Sequence, residues 1–97
     1  MLTLPIGDVA AATPRARVVR LDLGGHQFDF DAGQAVLIAS HGSEPRRPYS
    51  IASAPEDAKT RRCLELLIGI GVDGTPGPHL SLERGSLIDV EGPMGTF

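Results

Sequence analysis

The segment Arg46-Arg47-Pro48-Tyr49-Ser50-Ile51-Ala52-Ser53 sets a cation, an aromatic ring and a hydroxyl on one short stretch of strand-like composition. Arginine grips a phosphate with a planar fork of donors, tyrosine offers a large rigid face for stacking, and serine can hydrogen-bond a ring nitrogen. Residues i and i+2 of a strand share a face, so Arg47 and Tyr49 point together and Ser50 points to the other side. At a sheet edge the backbone and hydroxyl of Ser50 still reach the rim of a ring laid on Tyr49. That is equipment for a phosphorylated, flat, redox-active ligand, and a flavin nucleotide is such a ligand. An ordinary strand start, with solvated arginines and a core tyrosine, accounts for the same residues if nothing else supports the segment.

The turn Gly74-Thr75-Pro76-Gly77 is the second place where chemistry could sit. A glycine before Pro78, a few residues of helical character and then Arg84-Gly85 predict one short helix over 77–85, whose N-terminal donors could face an anion. A hairpin turn and helix entry with no ligand is the competing reading. His26, His41 and His79 have no metal-like spacing to one another or to Cys63 and are read as surface residues, so no metal site is expected. Cys63, beside Arg61 and Arg62, is either a thiol of lowered pKa or a small strand residue near a loop. No catalytic carboxylate pair and no Ser-His-Asp arrangement has supporting context.

The elements that must position these groups read as strands. Glycine at 12 and proline at 8 in 97 residues break the chain into short, often alternating stretches, which argues for an all-β barrel or sandwich. Leu64, Leu66, Ile68, Ile70 and Val72 fall on one face of a strand, and Glu65, Leu67, Gly69 and Gly71 on the other. Arg17–Leu23 alternates likewise, and Gly24-Gly25 reads as a turn. Phe28 and Phe30 alternate with Asp29 and Asp31, and beyond a bend at Gly33-Gln34 the apolar run 35–39 suits a strand covered on both sides. Residues 54–62 read as a polar hairpin loop, and 87–90 as a last strand.

Composition narrows the function classes. A chain of 97 residues is one domain burying roughly 60–65% of its unfolded surface. A net charge of −3 disfavours nucleic acid as a partner. No apolar run approaches the ~20 residues of a membrane span, and the start lacks the basic region of a signal peptide, so a soluble, cytoplasmic protein is expected. The single cysteine excludes an internal disulfide or an all-cysteine cluster.

Four ordered motifs then resemble one family, the flavin-binding domain of the ferredoxin-NADP reductase superfamily, which includes flavin reductases and the reductase components of oxygenases. Val9–Leu23, with Ala12-Thr13-Pro14 in the middle, looks like that family's first hairpin. Phe28 through Gln34 looks like its aromatic-x-Gly-Gln strand entry, Arg47-Pro48-Tyr49-Ser50 matches its Arg-x-Tyr-Ser signature, and Gly92-Pro93-Met94-Gly95-Thr96-Phe97 matches its closing Gly-Pro-x-Gly-x-Phe. The resemblance implies a six-stranded antiparallel Greek-key barrel with one short helix, spanning 1–97 and binding FAD, with FMN as the alternative. By it Arg47 would pair with the pyrophosphate, Tyr49 would pack on the isoalloxazine, and Ser50 would bond near flavin N5 and act as the catalytic residue. Pro48, Ile68, Gly74, Thr75 and Gly77 would complete the cofactor site.

The implied function is the flavin module of an NAD(P)H-dependent oxidoreductase that passes electrons through FAD to an acceptor. The family's NAD(P)-binding domain is expected to be missing from this chain, which the abrupt end after Phe97 suggests, and to be met as a further domain or subunit. A homodimer over the barrel face left open is a further expectation. The family commonly places polar ligands where Gly69 and Gly77 stand here. That departure keeps a second reading open, a flavin-free barrel serving as a protein-interaction or structural module.

Overall fold

The computed structural model of the chain describes residues 1–95. Its strands are β1 (Leu2–Thr13), β2 (Ala16–Asp22), β3 (Ala35–Ser40), β4 (Arg47–Ser50), β5 (Cys63–Gly69) and β6 (Leu87–Met94), with one helix, α1 (Pro55–Arg61), between β4 and β5. All pairs are antiparallel in one sheet of order β4-β3-β6-β1-β2-β5. After the long connection 70–86, β6 returns to lie between β1 and β3, the Greek-key signature. The all-β fold with one short helix therefore stands, with a barrel-like curl. Its ladder is not closed: the chain leaving β4 meets β5 at the bridge Ile51–Leu66, where the Ala52 N–H donates to the Glu65 carbonyl at 2.7 Å and the Glu65 N–H donates to Ser53 Oγ at 3.2 Å.

Alternation decides which side is core. Leu64, Leu66, Ile68 and Ile70 are buried as the period-2 pattern requires, in a core that also holds Leu4, Leu21, Val36, Ile38 and Ile88. Val72 leaves that face and is 93% exposed, because β5 ends at Gly69 and the chain turns over Gly71–Gly74. At the N-terminus the first strand is longer than the hairpin alone required. Residues 2–5 pair with β6 before β1 bends past a bulge at Ile6–Asp8 to pair with β2.

Three segments differ from expectation. The helix lies in 55–61, where a polar loop was read, and not in 77–85. Pro55 in its first turn, Glu56 and Asp57 at its start and Lys59 and Arg61 at its end follow the helix-dipole rules. Its two ends hide these signals: Ala54 supplies no side-chain cap, and the left-handed C-cap is Arg62 rather than glycine. Residues 77–85 stay irregular because their polar groups are met elsewhere. Ser40 N–H donates to the His79 carbonyl at 2.9 Å, and Ser81 N–H donates to Ser40 Oγ at 2.9 Å. Phe28 and Phe30 likewise lie outside any strand, their rings 6.1 Å apart beside the core.

The open ends of β1, β3 and β6 are tied by one buried carboxylate. Asp89 accepts hydrogen bonds from Thr3 Oγ1 at 2.7 Å and from the Gly42 N–H at 3.2 Å, with His41 Nδ1 at 2.8 Å. These bonds, led by those of Thr3 and His41, lower its pKa from 3.8 to about 2. A depressed carboxylate stabilises the fold above its unfolded pKa and loses that contribution as pH falls through the folded value. Asp89→Asn should thus weaken the chain against urea at pH 5–7. The difference from wild type should shrink below about pH 4 and vanish near pH 2. A pH-independent difference would show that the charge of Asp89 is irrelevant.

Candidate functional site

The segment Arg47–Ser50 forms a short strand bonded to β3 on one side only. The Ile51 N–H donates to the Gln34 carbonyl at 2.9 Å, and antiparallel pairs alternate between bonded and non-bonded. Tyr49 thus sits in a bonded pair with Val36, while Pro48 and Ser50 stand opposite Leu37 and Ala35 in non-bonded pairs. Proline fits there because it has no N–H to offer. The backbone N–H of Ser50 is then turned away from β3, along the free edge just before the seam with β5. Ser50 and Arg47 are exposed.

Arg47 and Tyr49 stand opposite Ile38 and Val36, both fully buried, so their side chains leave from the core face where the barrel opens. Tyr49 is half-buried against the core cluster. Its hydroxyl lies 2.7 Å from His79 Nε2, and the two rings are within 6° of parallel at 6.1 Å. Burial raises the Tyr49 pKa against the opposing pull of Arg47, and burial followed by Arg47 lowers that of His79. His79 is 6% exposed, so its reading as a surface residue is overturned. No local pattern marked it, since its partner lies 30 residues away in sequence.

Three of the motifs meet through Gln34. Its carbonyl holds Ile51 at the end of β4, its Oε1 accepts from the Asp31 N–H at 2.8 Å, and its Nε2 donates to the Gly95 carbonyl at 2.9 Å. Gly92 lets β6 pass this point. Its φ is +133°, a register shift between Ala35 and Leu37 lies opposite, and a Cβ on it would meet the Ala35 carbonyl at 3.3 Å. Thr96 and Phe97, which end the fourth motif, lie outside the described residues. Gln34→Ala should cost about 1–2 kcal/mol in urea denaturation, the worth of two modest hydrogen bonds. The main-chain bond to Ile51 survives the substitution, so the loss is confined to the ties to Asp31 and Gly95, and unchanged stability would dismiss them.

The remaining candidates are unequal. The Ile68 side chain is fully buried in the core and offers a ligand no surface. Thr75 is engaged within its own turn, with its N–H and hydroxyl donating to Asp73 at 3.1 and 3.0 Å, and the Gly74 N–H donates to the Gly71 carbonyl at 3.0 Å. Gly77, at φ +122°, lies beside His79, and a Cβ there would come 3.2 Å from His79 Nδ1. Cys63 begins β5 as a small buried strand residue. Burial, with Glu65 adding to it, pushes its thiol up rather than down. No group of metal-ligating side chains occurs among the described residues. The clearest concavity, about 400 Å³, is walled by Leu23, His26, Phe28, Lys59 and Arg62, with no residue of β4.

A barrel-like antiparallel sheet with a cationic, aromatic free edge beside a glycine turn is the arrangement of a flavin-binding oxidoreductase domain. Residues 4–97 match the family described as the oxidoreductase FAD-binding domain, and the chain belongs to that family, of ferredoxin reductase type. It is also 38% identical over 72 residues to methane monooxygenase component C of Methylosinus trichosporium, 72% of this chain and 20% of that protein. The match thus covers about a fifth of that relative's length. Its cofactor is FAD. The donor set suits a diphosphate-bearing flavin, with arginines for anionic oxygens and an outward amide and hydroxyl at Ser50. No helix among the described residues is long and apolar enough to cross a membrane.

Proposed function

We propose that this chain is the flavin module of an NAD(P)H-dependent oxidoreductase, through which electrons from a nicotinamide reach an acceptor. The observation that carries the reading is the free edge of β4, where Arg47 and Tyr49 share one face and Ser50 turns its N–H outward, within a domain of the FAD-binding family. Bound FAD supplies the two-electron acceptance and onward release, and the protein supplies position and polarity. Arg47 binds the diphosphate, Tyr49 gives the isoalloxazine an apolar wall, and Ser50 offers its outward N–H and hydroxyl at the ring edge. The nicotinamide is bound by a further domain or subunit, for which a relative matched over only 20% of its length leaves room.

The test titrates the 97-residue chain with FAD and with riboflavin, following flavin fluorescence, and then mixes the FAD-loaded chain with NADH or NADPH. One FAD per chain, tighter than riboflavin, is expected. Bleaching of the flavin band by NAD(P)H should be slow for the chain alone and faster when a nicotinamide-binding domain is supplied in trans. A chain that takes up neither flavin would overturn the reading.

A further inference from the structure

The concavity between the segment 23–29 and α1 holds chemistry that the β4 edge does not use. Leu23 and Ala58 in its lining are buried, and the half-buried Phe28 ring, set 6.1 Å from that of Phe30, adds a flat apolar wall. Its exposed lining residues include Lys59, Arg62, His26 and Asp29. A smaller hollow shares Phe28, Asp29 and Lys59 and runs on to Phe30 and Pro55. A space of about 400 Å³ with apolar walls and a few charged groups has the size and character of a small-ligand pocket.

Arg62 distinguishes this hollow from an ordinary surface crevice. Its φ is +56°, the left-handed conformation in which helices commonly end on glycine. A residue with a side chain is disfavoured there and persists only where its surroundings hold it, a condition that clusters at functional positions. Here the Arg62 carbonyl accepts from the Leu23 N–H at 2.9 Å, and the guanidinium donates to the Gly24 carbonyl from Nε at 2.9 Å and from Nη2. These bonds orient the group and occupy two of its five N–H donors, which leaves the end-on pair on Nη1 and Nη2 free. Lys59 stands three residues earlier, on the same side of the helix. Neither cation has a carboxylate partner among the described residues.

The lining also selects the ligand. Against the two cations stands one carboxylate, Asp29, which accepts from Gln27 Nε2 at 3.0 Å. The balance leaves one positive charge before His26 is counted, which matches a monoanion better than a phosphate dianion or the diphosphate of FAD. An end-on guanidinium fork fits the two oxygens of a carboxylate, and the Phe28 face fits an aromatic ring.

We propose that this hollow is a second ligand site, which takes a small aromatic carboxylate with its ring against Phe28 and its charged end between Lys59 and Arg62. The site includes no residue of β4 and does not rest on the flavin reading.

The test follows 1H–15N NMR spectra of the 97-residue chain during titration with benzoate, and with benzyl alcohol as the uncharged counterpart. Saturable shifts confined to amides around 23–29 and 58–62 are expected. Binding should be about tenfold weaker for benzyl alcohol, and about tenfold weaker for benzoate in Lys59→Gln and in Arg62→Gly. Both variants keep the fold, because Lys59 is exposed and glycine adopts the φ of position 62 without strain. Benzoate that moves none of these amides, or that binds wild type and both variants alike, overturns the proposal. Benzoate shifts reversed by FAD assign the hollow to the cofactor and overturn it as a separate site. A chain that binds benzoate here and takes up no flavin supports the proposal and overturns only the flavin reading.

Discussion

Leu66→Ala lowers the unfolding free energy of this chain by about 2–5 kcal/mol, the range for removing a large buried aliphatic side chain whose cavity collapses only in part. Leu66 is fully buried in the middle of β5, packed in the core, and is the residue bridged to Ile51 across the seam. Single domains are stable by only about 5–15 kcal/mol, so one side chain here is a large share of the whole. The urea midpoint should fall with the slope m unchanged, and the melting temperature should drop by about 10 °C or more. Leu67→Ala, on the outer face and 49% exposed, should change stability by less than about 0.5 kcal/mol. The seam gives a local readout as well: the Ala52 amide, bonded to the Glu65 carbonyl, should exchange its hydrogen faster in Leu66→Ala. A cost below about 1 kcal/mol would mean that the core is not centred on β5.

That core was legible because strand alternation is a strict rule. The pattern from Leu64 to Ile70 named the buried face residue by residue, and the Arg-Pro-Tyr-Ser segment was found by residue type and spacing. Other features depended on partners far along the chain. The helix over 55–61 was concealed by an uncapped start and an arginine where glycine usually stops a helix. The helical look of 77–85 failed because Ser40 meets the backbone of that segment. Val72 was assigned one strand position too many, since nothing in the alternation said that Gly71 turns. His79 shows the limit most clearly: a histidine between proline and leucine has no periodic signature, and only the fold brings it to Tyr49.

The convergence of the motifs also explains why each was weak when taken singly. Gln34 holds β4 through its carbonyl and the end of β6 through its side chain, so the strand entry and the Gly-Pro bulge are supports for the Arg-x-Tyr-Ser edge. A short edge strand of four residues, bonded on one side, has little stability of its own. Gln34 and the end of β6 hold it in place. Such support makes the free edge of β4 a pre-formed surface, and pre-formation spares the ordering cost that a mobile loop would impose on binding.

Arg47→Ala should weaken FAD binding by about 10- to 100-fold, the equivalent of the ~1.5–3 kcal/mol that a hydrogen bond to a charged group contributes. Riboflavin binding should change little, because the loss is confined to the phosphate end. Arg47→Lys should recover only part of the affinity, since an ammonium is a point charge without the planar fork that matches phosphate oxygens. Rising salt should narrow the gap between wild type and Arg47→Ala, because an exposed arginine acts through screened charge. A second measurement ties the effect to geometry. Arg47 holds the His79 pKa down, after burial, so removing the guanidinium should move the His79 titration to higher pH by NMR. If FAD and riboflavin lose affinity alike, Arg47 supports the shape of β4 instead of gripping phosphate. If neither loses affinity while His79 still shifts, the diphosphate lies elsewhere on the barrel and the cationic edge serves another anion.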